Sequence, residues 1–148
     1  MNQKKTGELL EILNRAQTDE ALQRYVSDTA GFTGVTFVDY FNSLLEKNGM
    51  GKAELVAKTG IERTYLYQLL NGTRQPSRDY ILALCIGAGL SLEQTTRCLE
   101  LLSEGVLYAK NARDAIIIYS INRGYSVNKT NELLFDMEKE PLKVGREK

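Results

Sequence analysis

Residues 51–77 read Gly51-Lys52-Ala53-Glu54-Leu55-Val56-Ala57-Lys58-Thr59-Gly60-Ile61-Glu62-Arg63-Thr64-Tyr65-Leu66-Tyr67-Gln68-Leu69-Leu70-Asn71-Gly72-Thr73-Arg74-Gln75-Pro76-Ser77. Their pattern predicts a two-turn helix over 52–59 with Leu55 and Val56 turned inward, a turn at Gly60, and Ile61 plugging the corner. A second helix over 62–71 buries Leu66, Leu69 and Leu70 and leaves Arg63, Thr64, Tyr67 and Gln68 on the opposite side. Asn71-Gly72 stops that helix, and Pro76-Ser77 open the next. Two short helices joined by a tight glycine turn have the helix-turn-helix layout, whose second helix fits the ~12 Å wide major groove of DNA.

The flanking sequence is helical too. Upstream, Thr36 caps a helix with Asp39 at its third position and a buried face of Phe37, Phe41, Leu44 and Leu45, ending at Asn48-Gly49. Before it lies an arm (1–34) of two short helices. Leu9, Leu10, Ile12, Leu13 and Ala16 form the stripe of the first, and Thr18 caps a second that carries Leu22, Tyr25 and Val26. Downstream, Gly89-Leu90-Ser91 and Gly124-Tyr125-Ser126 repeat the corner set by Gly49-Met50-Gly51. In each, the glycine takes the left-handed helix end; Ser91 and Ser126 cap the helices that follow, Ser91 in a capping box with Gln94.

The last two corners belong to an internal repeat. At an offset of 35, residues 78–102 match 113–137 at eight positions: Arg78/Arg113, Asp79/Asp114, Ile81/Ile116, Ile86/Ile121, Gly89/Gly124, Ser91/Ser126, Thr95/Thr130 and Leu99/Leu134. Chance supplies roughly one or two. Duplication and a shared helix-capping grammar both account for this. Two copies fall short of a solenoid, so the second hairpin reads as an extension stacked on the preceding domain.

The segment from Thr36 to Ser103 resembles the lambda-repressor-like (phage repressor, Cro and XRE) DNA-binding family. The matching residues are Lys52-Ala53-Glu54-Leu55, Lys58, Gly60-Ile61, Leu66, Leu69, Asn71-Gly72 and Pro76-Ser77. The resemblance implies an all-α, five-helix domain. It further implies that Lys52, Thr73 and Arg74 touch the phosphate backbone, while Arg63, Thr64, Tyr67 and Gln68 face the bases, Gln suiting adenine and Arg guanine. Two positions depart from the family: Val56 stands where Ala is usual, and Glu62 opens the recognition helix. The expected organisation is an N-terminal helical arm (1–34), a helix-turn-helix DNA-binding domain (35–103), a helical-hairpin extension (104–140) and a flexible charged tail (141–148).

Composition narrows the chemistry. The chain has 148 residues, 43% of them hydrophobic, 19 basic and 19 acidic side chains, and no His. Without His there is no Ser-His-Asp or Cys-His system and no His-containing zinc site. Glu93 and Glu132 stand at helix starts without a second catalytic group, and no phosphate loop or metal cluster is visible, so neither an enzyme nor a cofactor is expected. Cys85 and Cys98 read as free, buried thiols, and with no signal peptide and no membrane-length apolar run the expected location is cytoplasmic. Zero net charge excludes bulk attraction to nucleic acid, but from Lys58 to Arg78 the basic residues Lys58, Arg63, Arg74 and Arg78 face only Glu62. Neutralising three or four phosphates predicts a salt slope near −3 to −4 per subunit, roughly.

The expected partner is double-stranded DNA, with a homodimer or protein partner engaged through the arm or the C-terminal hairpins. The run Ile116-Ile117-Ile118-Tyr119 puts apolar surface on more than one side of its helix, which makes that helix either central or part of an interface. The amphipathic arm and this run together motivate the alternative, a helical protein-interaction module on the same fold.

Overall fold

The computed structural model describes residues 35–144, and Asp19 alone before them; the helices expected within 1–34 and the end of the tail lie outside the described residues. Among the described residues, those from Phe37 onward form one compact unit. It is all-helical: α1 Phe37–Lys47, α2 Lys52–Thr59, α3 Arg63–Asn71, α4 Arg78–Gly87, α5 Leu92–Leu101, α6 Ala112–Asn122 and α7 Val127–Asp136, with no strand among the described residues. None of these helices is long and apolar enough to cross a membrane.

The core forms where the sequence places its apolar stripes. Phe37, Phe41, Leu44 and Leu45 of α1 meet Leu66, Leu69 and Leu70 of α3 and Leu55 of α2. Full burial of such side chains is worth about 1.5–3 kcal/mol each. Helix α4 runs through the centre, with every residue from Ile81 to Ala88 buried. Its packing against α2 depends on Gly87, where a Cβ would stand 2.5 Å from Thr59 Cγ2. A side chain there would force the helices apart.

The corner between α2 and α3 is built by Thr59 and Gly60. Thr59 is buried; its hydroxyl donates to Leu55 O at 2.8 Å and accepts from Ile61 N–H at 3.2 Å. Gly60 takes φ +75°, a left-handed conformation that L side chains adopt at a cost, and its N–H donates to Val56 O. Ile61 fills the corner at 1% exposure. Val56 is accommodated as a half-buried residue against the core.

The internal repeat is a structural one. Helices α4 and α6, and α5 and α7, occupy equivalent places at the 35-residue offset, with Gly89 and Gly124 left-handed between them. Ser91 and Gln94 complete the expected capping box, and Ser126 accepts from Lys129 N–H. Beyond the capping residues, Arg78 and Asp114 form a two-pronged ion pair at 3.0 and 3.2 Å, and Arg113 and Asp79 form its mate at 3.1 and 3.2 Å. Arg78 also donates to the carbonyls of Gly105 and Val106, as Arg113 does to those of Glu140 and Pro141. Asp114 accepts from Tyr108 N–H, and Asp79 from Lys143 N–H.

Every member of one set lies 35 residues from its mate, and each repeat supplies the arginine for the other's carboxylate. Such reciprocity is the signature of a twofold relation. The packing of α4 on α7 and of α5 on α6 obeys it, and so does a cleft of about 40 Å³ lined by Ile86, Gly89, Leu90, Ile121, Gly124 and Tyr125. Capping grammar alone accounts for the serines and glycines but not for this lock.

The tail expected to be flexible from residue 141 is instead pinned over 141–144. Leu142 is 4% exposed and its N–H donates to Asn131 Oδ1, while Lys143 N–H closes on Asp79. These partners are remote in sequence, which is why a charged composition concealed them. Cys85 and Cys98 are buried and unbridged, as expected. Burial pushes the Cys85 thiol well up, and its hydrogen bond with Cys98 and that group's charge push it further.

Candidate nucleic-acid interface

Helix α3 presents one side to the core and one outward. Glu62 caps it, accepting from Tyr65 N–H at 3.0 Å with a carboxylate that also suits the positive end of the helix dipole. This cap occupies the acidic group that stood as a departure from the family pattern. Asn42 Nδ2 donates to Leu70 O at 2.9 Å, tying the far end of α3 to α1. With both ends held, the outward residues sit on a rigid support.

Those residues divide into two clusters. In the first, Tyr67 lies half-buried with Lys52 Nζ 5.3 Å and the Arg63 guanidinium 5.4 Å from its ring centre. In the second, Arg74 Nε donates to Gln68 Oε1 at 3.2 Å and its guanidinium lies 5.9 Å from the Tyr65 ring. Tyr65 in turn packs edge-on against Tyr80. Thr64 and Thr73 are exposed; Thr73 N–H is held by Asn71 Oδ1 at 2.9 Å, which shapes the loop that carries Arg74. Thus six of the seven residues singled out from the sequence either join a cluster or sit on its supporting loop, and Thr64 stands exposed beside them.

The start of α2 adds a further feature. Gly51 is its N-cap and supplies no side-chain cap, so the first-turn N–H groups beside Lys52 are open to an anion. The geometry therefore sets backbone donors, Lys52 and Arg74 around a helix whose outward side carries exposed Arg63 and half-buried Gln68.

Two charges in the expected patch are spent elsewhere. Arg78 is locked to Asp114, and Lys58 pairs with Glu54 at 4.0 Å across one helical turn. An exposed pair of the latter kind is weak, but the Arg78 lock is not, and it takes that residue out of the patch. Tyr65, half-buried, is a site residue that helical spacing alone does not single out. The clue lay in its spacing: an aromatic at the start of α3 with a basic loop residue beyond the C-terminus.

The chain matches no family model, no curated protein and no solved structure. What this surface does rests on its own chemistry. Among the described residues, no group of three or more Cys, Asp or Glu side chains is placed to hold a metal.

Proposed function

We propose that the protein is a sequence-specific DNA-binding regulator that sets α3 in the major groove, in the manner of the lambda-repressor-like family. The observation that carries this reading is that Lys52, Arg63 and Arg74 are exposed, with Gln68 half-buried beside them, around one helix whose other side is core. Lys52, Thr73 and Arg74 grip phosphates, and Arg63, Thr64, Tyr67 and Gln68 face base edges. Gln68 and Arg74 hold each other in the free protein; on DNA, Arg74 turns to phosphate and Gln68 is released to make its paired contact with adenine. The order of α1 to α5, with a glycine-turned corner before α3, supports the family arrangement. The protein is proposed to work in the cytoplasm without a cofactor.

With Arg78 removed from the patch, about two or three phosphates are neutralised per subunit, and the salt slope falls to roughly −2 to −3. The test is fluorescence anisotropy on a DNA site enriched from a random pool. Arg63→Ala with Gln68→Ala is expected to abolish the preference for that site while residual, salt-sensitive binding persists. Unchanged selectivity in the double variant refutes the groove-reading role.

A second reading, a protein-interaction module on the same fold, is favoured by the exposed Tyr119 and Met137 of the last hairpin. Co-purification of a stoichiometric protein partner without enriched DNA supports it over the first.

A further inference from the structure

The twofold relation between the repeats makes their outer faces comparable residue by residue. In the first repeat that face is Ile81, Leu84, Leu90 and Cys98, all at 4% exposure or less, with α2 packed on α4 and α1 on α5. Its equivalent in the second repeat is Ile116, Tyr119, Tyr125 and Leu133. These line an open groove of about 360 Å³ together with Lys129 and Met137. Tyr119 is 50% exposed and Met137 55%. Among the described residues nothing covers it. One face of the pair is therefore finished core, and its mate is the same kind of helix-pair surface left open.

The groove is basic at its corner end, and the α7 face that borders it turns acidic just past the groove, at Asp136. At the corner end, Arg123 lies 5.6 Å from the Tyr119 ring centre and Lys129 5.9 Å from that of Tyr125, the two rings meeting edge-on. Along α7, Lys129, Leu133 and Asp136 recur at i, i+4 and i+7 and so share a face, with the carboxylate about 10 Å from the lysine along the helix axis. A surface that is positive at one end, apolar in the middle and negative at the other is complementary to itself when turned by a half-rotation.

We propose that a second copy of this chain covers the groove, the α6–α7 hairpins of two protomers pairing antiparallel about Leu133. The apolar residues of the two grooves close on one another, and Lys129 of each protomer faces the partner subunit's Asp136. The contact adds an interaction surface separate from α3, and two recognition helices in one particle would read two half-sites.

The test is sedimentation velocity of the full chain from low to high micromolar concentration, without DNA, so that its failure leaves the DNA reading standing. A dimer is expected. Leu133→Glu, and independently Tyr119→Glu at an exposed position, are expected to weaken it at least about a hundredfold, because each buries an unpaired carboxylate in the interface. Circular dichroism checks that both variants fold. Phe135→Glu, at a 74% exposed position outside the groove, leaves the dimer intact. Lys129→Glu weakens association several-fold, and adding Asp136→Lys restores it. A wild-type chain that stays monomeric overturns the proposal, whether residues 1–34, another protein or nothing then fills the groove. A dimer untouched by Leu133→Glu and Tyr119→Glu overturns it as well, and failure of the charge exchange to restore association overturns the antiparallel arrangement.

Discussion

Replacing Asp114 by Ala tests whether the reciprocal lock holds the two repeats together. The carboxylate is 6% exposed and accepts three hydrogen bonds, two from Arg78 and one from Tyr108 N–H. Its loss leaves Tyr108 N–H without its acceptor and Arg78 with only the carbonyls of Gly105 and Val106. Breaking one partner of a buried pair costs about 3–5 kcal/mol. The Arg78 side chain is 26% exposed, so water screens part of that, and about 3 kcal/mol is the expected loss. In the mate pair the Asp79 side chain is 20% exposed, and Asp79→Ala is expected to cost less, about 2 kcal/mol. Against a total stability of roughly 5–15 kcal/mol, either change moves the urea midpoint clearly. Far-ultraviolet circular dichroism reads it without a tryptophan, which the chain lacks. Arg78→Met with Asp114→Leu removes both charges together and is expected to recover most of the loss. A cost below about 1 kcal/mol for Asp114→Ala would show that the lock does not hold the fold, since that is the range of an exposed surface pair.

Acid provides a second handle on the same carboxylate. Burial raises the Asp114 pKa, but the hydrogen bonds from Arg78 and Tyr108 and the charges of Arg78 and Arg113 outweigh it, and the net shift is downward. A carboxylate held below its unfolded value near 3.9 contributes stability that is full above that pH and is lost as pH falls through the folded value. Asp114→Asn should therefore flatten the wild-type loss of stability below about pH 4; an unchanged acid limb in urea titrations contradicts the assignment. Gly87→Ala is expected to cost about 1–3 kcal/mol through its clash with Thr59 Cγ2, and Thr59→Ser, which removes that methyl and keeps the hydroxyl, should recover most of it. If the second change does not rescue the first, the close approach is not the cause. Ser120 is buried and its hydroxyl has no partner among the described residues, so Ser120→Ala should raise the thermal midpoint; a lower midpoint would mean that the hydroxyl is satisfied.

The sequence carried the local physics of this protein more fully than its long-range pairings. The glycine corners, the Ser91–Gln94 box, the plug at Ile61 and the inward stripe of α3 are all set by residues within one or two turns, and all are found. The duplicated Arg-Asp dipeptide was visible as a repeat, but its meaning required knowing that the hairpins face each other across a twofold relation. For the same reason the sequence reads Arg78 as a surface cation and 141–144 as loose chain: Asn131 and Asp79, which hold that segment, lie 11 and 64 residues away from the groups they bind. In the candidate site, helical spacing identified which residues are outward. It did not reveal that the Tyr67 ring carries Lys52 or that the Tyr65 ring carries Arg74, since those contacts join α3 to α2 and to the following loop.

The DNA reading stands or falls most directly on selection of bound sequences from a random double-stranded pool at two salt concentrations. The account predicts enrichment of a short motif that survives the rise in salt, with total binding falling at a slope of roughly −2 to −3 per subunit. It also predicts loss of that motif, but not of low-salt binding, in the Arg63→Ala, Gln68→Ala variant. A pool that shows no enrichment at either salt, or a motif that the double variant recovers unchanged, contradicts it.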